Sequence, residues 1–241
     1  MRHPALSIRR VNQPIFTVAY AATAIPARIL LENRRWKEAA SLQLQDNVAN
    51  LVPLEKFQWA DAHVHFARAV GAARIGDAAA AREETTKLKL IEDALVVPAG
   101  TYDWRKQVWI ERQLADAWAT YAEGKKDDAL RLMRAAADLD DATEKHPVTP
   151  GAVLPAREQL GELLIELKQP SAALIEFEAS LKRAPKRLTG LYGAAHSAQL
   201  AGDATKAKSY FADLAEVTKA SDGSRSEVKE ARTATAQVVG R

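Results

Sequence analysis

The chain has 241 residues, 34 Lys+Arg against 31 Asp+Glu, 48 Ala and no Cys. The missing cysteine excludes a disulfide framework, a thiolate nucleophile, a Cys-bound zinc and an iron–sulfur cluster, and 47% apolar content excludes a disordered chain. No apolar run is long enough to span a bilayer, and the dominance of Ala, Leu, Glu, Lys and Arg points to helices.

Charge is distributed unevenly along the chain. Residues 1–41 hold seven basic and two acidic groups, and the rest holds 27 basic and 29 acidic. A duplex-binding surface gathers Lys and Arg on one face. Here the two signs alternate, so no nucleic-acid partner is expected. Residues 1–19 read as a basic extension. Arg9-Arg10 followed by Val11–Ile25 superficially resembles a short export signal, but Asn12, Gln13 and Pro14 interrupt the apolar run. The expected location is therefore the cytoplasm, or the periplasm if the N-terminus is processed.

In chain order, five helix–turn–helix units are expected, at about 20–53, 60–97, 104–142, 154–187 and 188–221, with a capping helix at 225–238. Their turns read Asn33-Arg34-Arg35-Trp36, Gly76-Asp77, Gly124-Lys125, Lys168-Gln169-Pro170 and Gly202-Asp203. Each is followed by a small residue meant for a helix crossing: Ala39, Ala81, Ala129, Ala173 and Ala207. The spacings of these alanines are 42, 48, 44 and 34 residues. Between the second and third units, Pro98-Ala99-Gly100 precedes Tyr102, Trp104 and Trp109. These aromatics either pack the next helix or form a ligand wall, and Asp103 is placed to cap that helix. The segment Asp140–Pro155 carries Asp140, Asp141, Glu144, His146 and three prolines, so it is a stiff connection.

The last two units superpose at a 34-residue offset: Gly161 on Ala195, Ala173 on Ala207, Phe177 on Phe211. With Pro185, these residues resemble the tetratricopeptide repeat. Ala24–Arg28, His65–Arg74 and Glu144–Gly151 further resemble the C-terminal half of longer bacterial proteins of that family, whose function is unassigned. The resemblance implies an all-α fold, a right-handed α-solenoid of antiparallel helix pairs closed by the capping helix. If upstream repeats are missing, the first unit exposes apolar surface suited to self-association.

The family's concave face is lined by the first helix of each unit. Carried over, it consists of His63, Phe66, Val70 and Ala73, then Glu111, Leu114, Trp118 and Tyr121, then Pro155, Glu158, Glu162 and Ile165, then Thr189, Tyr192, His196 and Gln199. Glu158 and Glu162 would repel a peptide carboxylate, so a basic and apolar peptide suits this face better. The leading expectation is a non-enzymatic interaction scaffold without a cofactor. Phosphate loops and nucleophile elbows are missing, and no two His stand four apart on a helix. The alternative is a small-ligand or metal-ion site built from the 140–155 segment and groove residues, with His146, Glu162 and His196 as metal ligands. Because each unit mainly contacts its neighbours, a broad or multi-step unfolding transition is expected.

Overall fold

The computed structural model describes residues 16–44, 54–99, 101–145 and 152–239. Among them are eleven α-helices and no strand. They are α1 (Phe16–Glu32), α2 (Trp36–Ala40), α3 (Gln58–Arg74), α4 (Ala78–Ala94), α5 (Trp104–Ala122), α6 (Lys126–Ala142), α7 (Ala156–Glu166), α8 (Pro170–Arg183), α9 (Leu188–Leu200), α10 (Ala204–Val217) and α11 (Ser226–Val239). A single 3-10 turn, Leu54–Lys56, precedes α3.

One turn recurs in all five pairs. The residue closing the first helix adopts a left-handed backbone: Arg34, Gly76, Gly124, Lys168 and Gly202, with φ between 54° and 87°. The next amide bonds five residues back, Arg35 to Leu30, Asp77 to Ala72, Lys125 to Thr120, Gln169 to Leu164 and Asp203 to Ala198, at 2.9–3.1 Å. These bonds satisfy carbonyls that the helix end leaves open. Four residues after that amide, Ala39, Ala81, Ala129, Ala173 and Ala207 lie buried. Alanine lets the second helix approach the first closely, and a larger side chain would force them apart. Asp77, Asp103 and Asp203 each accept a hydrogen bond from the amide three residues on, at 2.9–3.0 Å, and so start α4, α5 and α10.

The pairs pack in chain order. Within pairs, α3 meets α4, α5 meets α6, α7 meets α8 and α9 meets α10. The first helices also meet in series, α1 with α3, α3 with α5, α5 with α7 and α7 with α9, and α11 packs on α10. One continuous apolar core runs from α1 to α10, and a smaller cluster of Leu191, Ala195, Phe211, Leu214 and Ala231 joins α9, α10 and α11.

The first helix does more than start the series. Arg28 donates to the carbonyls of Ala152 and Val153 at 2.6 and 3.2 Å. The Glu32 carboxylate pairs with Arg187 at 2.5 Å and accepts from the Thr189 hydroxyl at 2.9 Å. Arg225 donates to the Glu32 carbonyl at 2.8 Å, and Arg34 reaches Glu162 at 3.4 Å. The end of α1 therefore touches the starts of α7, α9 and α11. Its other side leaves Val18, Ile25 and Ile29 about half exposed. Among the described residues no helix is long and apolar enough to cross a membrane.

Candidate functional site

Packing of the inner helices against one another decides what they expose. Glu111, Trp118 and Glu158, expected on an open concave surface, are each 1% exposed. They lie where successive inner helices pack together, and their partners come from those helices and from the start of α9. The Trp118 indole N–H donates to Gln159 at 2.8 Å. The Arg74 guanidinium lies 4.3 Å from the Trp118 ring centre and 5.2 Å from that of Trp36, within cation–π range of both. Glu158 accepts two bonds from Arg187, at 2.8 and 3.0 Å. Burial pushes its carboxyl up, while Arg187 opposes that push. Glu111 takes a hydrogen bond from the His63 ring at 2.9 Å, both side chains buried.

The remaining sequence-derived residues sort by position along α7 and α9. Glu162, Tyr192 and His196 share the wall of a pocket of about 230 Å3 with Arg34, Arg74, Ile165, Glu166, Phe177 and Thr189. It opens where the first helices end. Glu162 and Glu166 are one turn apart on α7, and Thr189, Tyr192 and His196 follow one face of α9. Phe177 of α8 forms the floor because Gly193 admits its ring; a Cβ there would stand 2.2 Å from the ring.

The electrostatics of this mouth are mixed. Burial raises the Glu162 carboxyl above the ordinary range, Arg34 and Arg74 pull it back, and Glu32 and Glu166 raise it further. Arg34, its cationic partner, is 45% exposed on the turn. Tyr192 donates to Glu230 at 2.9 Å, and burial with that carboxylate pushes its hydroxyl up to about 12. Its ring stacks on His196 at 5.7 Å, nearly parallel, and the His196 Nδ1 is buried without a hydrogen-bond partner. Tyr121 is half-buried and edge-on to Trp118, and Gln199 is exposed near the end of α9.

For the metal reading, Glu162 and His196 do share one pocket, but His146 lies outside the described residues. Among the described residues no three His, Cys, Asp or Glu side chains assemble around a common point.

A second concavity lies at the opposite ends of the inner helices. It is a partly open cavity of about 100 Å3 bordered by Tyr20, His63, Tyr102, Trp104 and Gln107, by Asp140, Thr143, Lys145, Ala152 and Pro155, and by Arg28, Arg157, Arg183 and Arg187. The sequence pointed to the 140–155 segment through its prolines and left Tyr102 and Trp104 as packing groups or a wall. Tyr20, Arg34, Gln107 and Arg74 carried no signal, because helical position alone does not say which distant helix a side chain meets.

The chain matches no protein-family model and no curated protein.

Proposed function

We propose that the chain is a non-enzymatic interaction module of the tetratricopeptide type, a right-handed solenoid that takes a segment of a partner protein at the mouth between α7 and α9. The observation that carries this reading is the convergence of Glu162, Tyr192 and His196 with Arg34 over an apolar floor. Glu162 is a partly buried carboxylate whose cation sits on an exposed turn residue. A basic side chain from a partner can replace Arg34 there, while an apolar neighbour covers Phe177 and Tyr192. Binding would then exchange one ion pair for another and gain apolar burial.

The test is an array of peptides varying in charge and apolar content, probed with the wild type, Glu162→Lys and His196→Ala. Peptides joining basic and apolar residues are expected to bind, and Glu162→Lys is expected to weaken them about tenfold or more. Equal binding by wild type and Glu162→Lys sinks the assignment.

A second reading has its own observation. Asp140, Thr143, Ala152 and Pro155 border a cavity that Tyr102 and Trp104 also line, which supports a small-ligand site apart from the mouth.

A further inference from the structure

Resting on the reading of the mouth as the partner site, we propose that the basic residue it takes is an arginine, and that Arg34 is a stand-in guanidinium which this arginine displaces. Glu162 is the carboxylate at stake. Its side chain is 13% exposed, and among the described residues the hydrogen bond it accepts comes from Arg34 Nη2, at 3.4 Å. That bond is single and long, whereas a guanidinium can give two short parallel bonds to one carboxylate. Arg187 does so to Glu158, one turn earlier on the same helix, at 2.8 and 3.0 Å. Glu162 is thus held loosely, by a residue 45% exposed on the turn after α1. Arg34 can swing away by side-chain rotation, without movement of a helix.

The wall suits a guanidinium better than an ammonium. Glu162 and Glu166 stand one turn apart on α7, and Phe177, Tyr192 and His196 line the same pocket with Arg74. A guanidinium is planar, stacks on aromatic rings and is weakly hydrated, whereas an ammonium is a compact and strongly hydrated charge. Entering an opening lined by three aromatic side chains and a largely buried carboxylate therefore costs the guanidinium less. The chain already makes this combination within itself: Arg74 lies within reach of the Trp118 and Trp36 rings while its Nη2 meets Glu166 at 3.3 Å. The aromatic side is set before a partner arrives, because Tyr192 is tied to Glu230 at 2.9 Å and stacks on His196. His196 adds an acceptor. Its Nδ1 is buried without a hydrogen-bond partner, and it accepts when the ring carries its proton on Nε2. With five N–H groups in a fork, a guanidinium serves the Glu162 carboxylate with one edge and still has a donor for that nitrogen.

Charge and size agree with this guest. With Arg34 displaced and His196 neutral, the charged groups of the wall are Glu162 and Glu166 against Arg74, an excess of one negative charge that a single arginine neutralises. The arginines beside the mouth are committed elsewhere: Arg225 to Glu227 and the Glu32 carbonyl, Arg187 to Glu32 and Glu158. A cavity of about 150 Å3 holds benzene, so a pocket of about 230 Å3 holds a guanidinium with part of its stem. The turn tolerates removal of Arg34. Its backbone is left-handed, with φ 54°, and Gly76, Gly124 and Gly202 occupy the same place in three of the other turns. Arg34→Gly therefore takes away the guanidinium and suits the turn.

The experiment titrates the full chain by calorimetry with the end-capped hexapeptide Ser-Leu-Arg-Phe-Leu-Ser and with its versions carrying lysine, citrulline or glutamate in place of the arginine. The wild type is expected to bind the arginine peptide about fivefold or more tightly than the lysine peptide. The citrulline peptide, which keeps the shape but not the charge, is expected to bind about tenfold more weakly or worse. Arg34→Gly is expected to bind the arginine peptide about tenfold more tightly than the wild type does, because no internal guanidinium has to be displaced. Equal affinity for the lysine and arginine peptides overturns the arginine assignment and leaves the basic-segment reading standing. Unchanged or weaker binding of the arginine peptide by folded Arg34→Gly overturns the displacement. Preference of the wild type for the glutamate peptide, lost in Arg34→Gly, makes Arg34 itself the binding group and overturns the proposal. Absence of saturable binding of all four peptides, to the wild type and to Arg34→Gly, overturns the proposal together with the reading of the mouth.

Discussion

At Gly71 a Cβ would sit 2.4 Å from the Ala40 amide nitrogen and 2.7 Å from the Trp36 carbonyl. Those are backbone atoms of α2, which cannot swing aside as a side chain can. Gly71→Ala is therefore expected to destabilise the fold by about 2–3 kcal/mol in urea denaturation; a change below about 0.5 kcal/mol contradicts the close approach. His65 provides a second residue-scale test. Burial would lower its pKa, but Asp61 and Glu84, at 3.5 and 2.6 Å, outweigh that and hold it at about 9, above the ordinary 6.5. A raised folded-state pKa stabilises fully below about 6.5, and the contribution is lost as pH rises through about 9. After allowance for partial exposure, stability should fall by about 1–2 kcal/mol across that window, and His65→Gln should abolish the fall. An equal fall in the variant shows that another group titrates. His63 and His65, two apart on α3, point to opposite sides of the helix, and both find carboxylates, on α5 and on α4. Helical spacing gives direction but not the identity of the facing helix.

The helices themselves were legible because local signals mark their ends. The five turns, the alanines behind them and the Asp103 cap are written in contiguous residues, and the structure repeats one hydrogen-bond pattern at each turn. Removing the cap by Asp103→Ala leaves an α5 amide without its partner. We expect a loss of about 1 kcal/mol and faster hydrogen exchange in the first turn of α5, with α9 unaffected; unchanged exchange there contradicts the capping role. The candidate mouth was only half legible. Glu162, Tyr192 and His196 came from their register on α7 and α9, but Glu111, Trp118 and Glu158 had the same register and are buried. The register says which face points inward. Whether that face meets solvent or another helix depends on which distant elements pack on it, and contacts separated by 124 to 193 residues leave no local trace.

For the molecule as a whole, those distant contacts bear on how it unfolds. A chain whose units touch only their neighbours opens in stages, which was the expectation from sequence. Ties from α1 to the starts of α7, α9 and α11 link early and late units, so α1 to α9 should lose structure together. The outer surface of α10 and α11 packs on a separate small cluster, and its amides should exchange first. Earlier exchange in α1 than in α11 would contradict this order. The same ties decide what is left open for binding, namely the mouth at one end of the inner helices and the cavity at the other. The most direct measurement is a double-mutant cycle on Glu32→Ala and Arg187→Ala, followed by urea denaturation. If α1 closes on α9, the cycle gives a coupling of about 1–2 kcal/mol, as expected for a half-buried ion pair joining the two ends. A coupling indistinguishable from zero would mean that the first helix does not close on the last units, and that the inner face is an open groove.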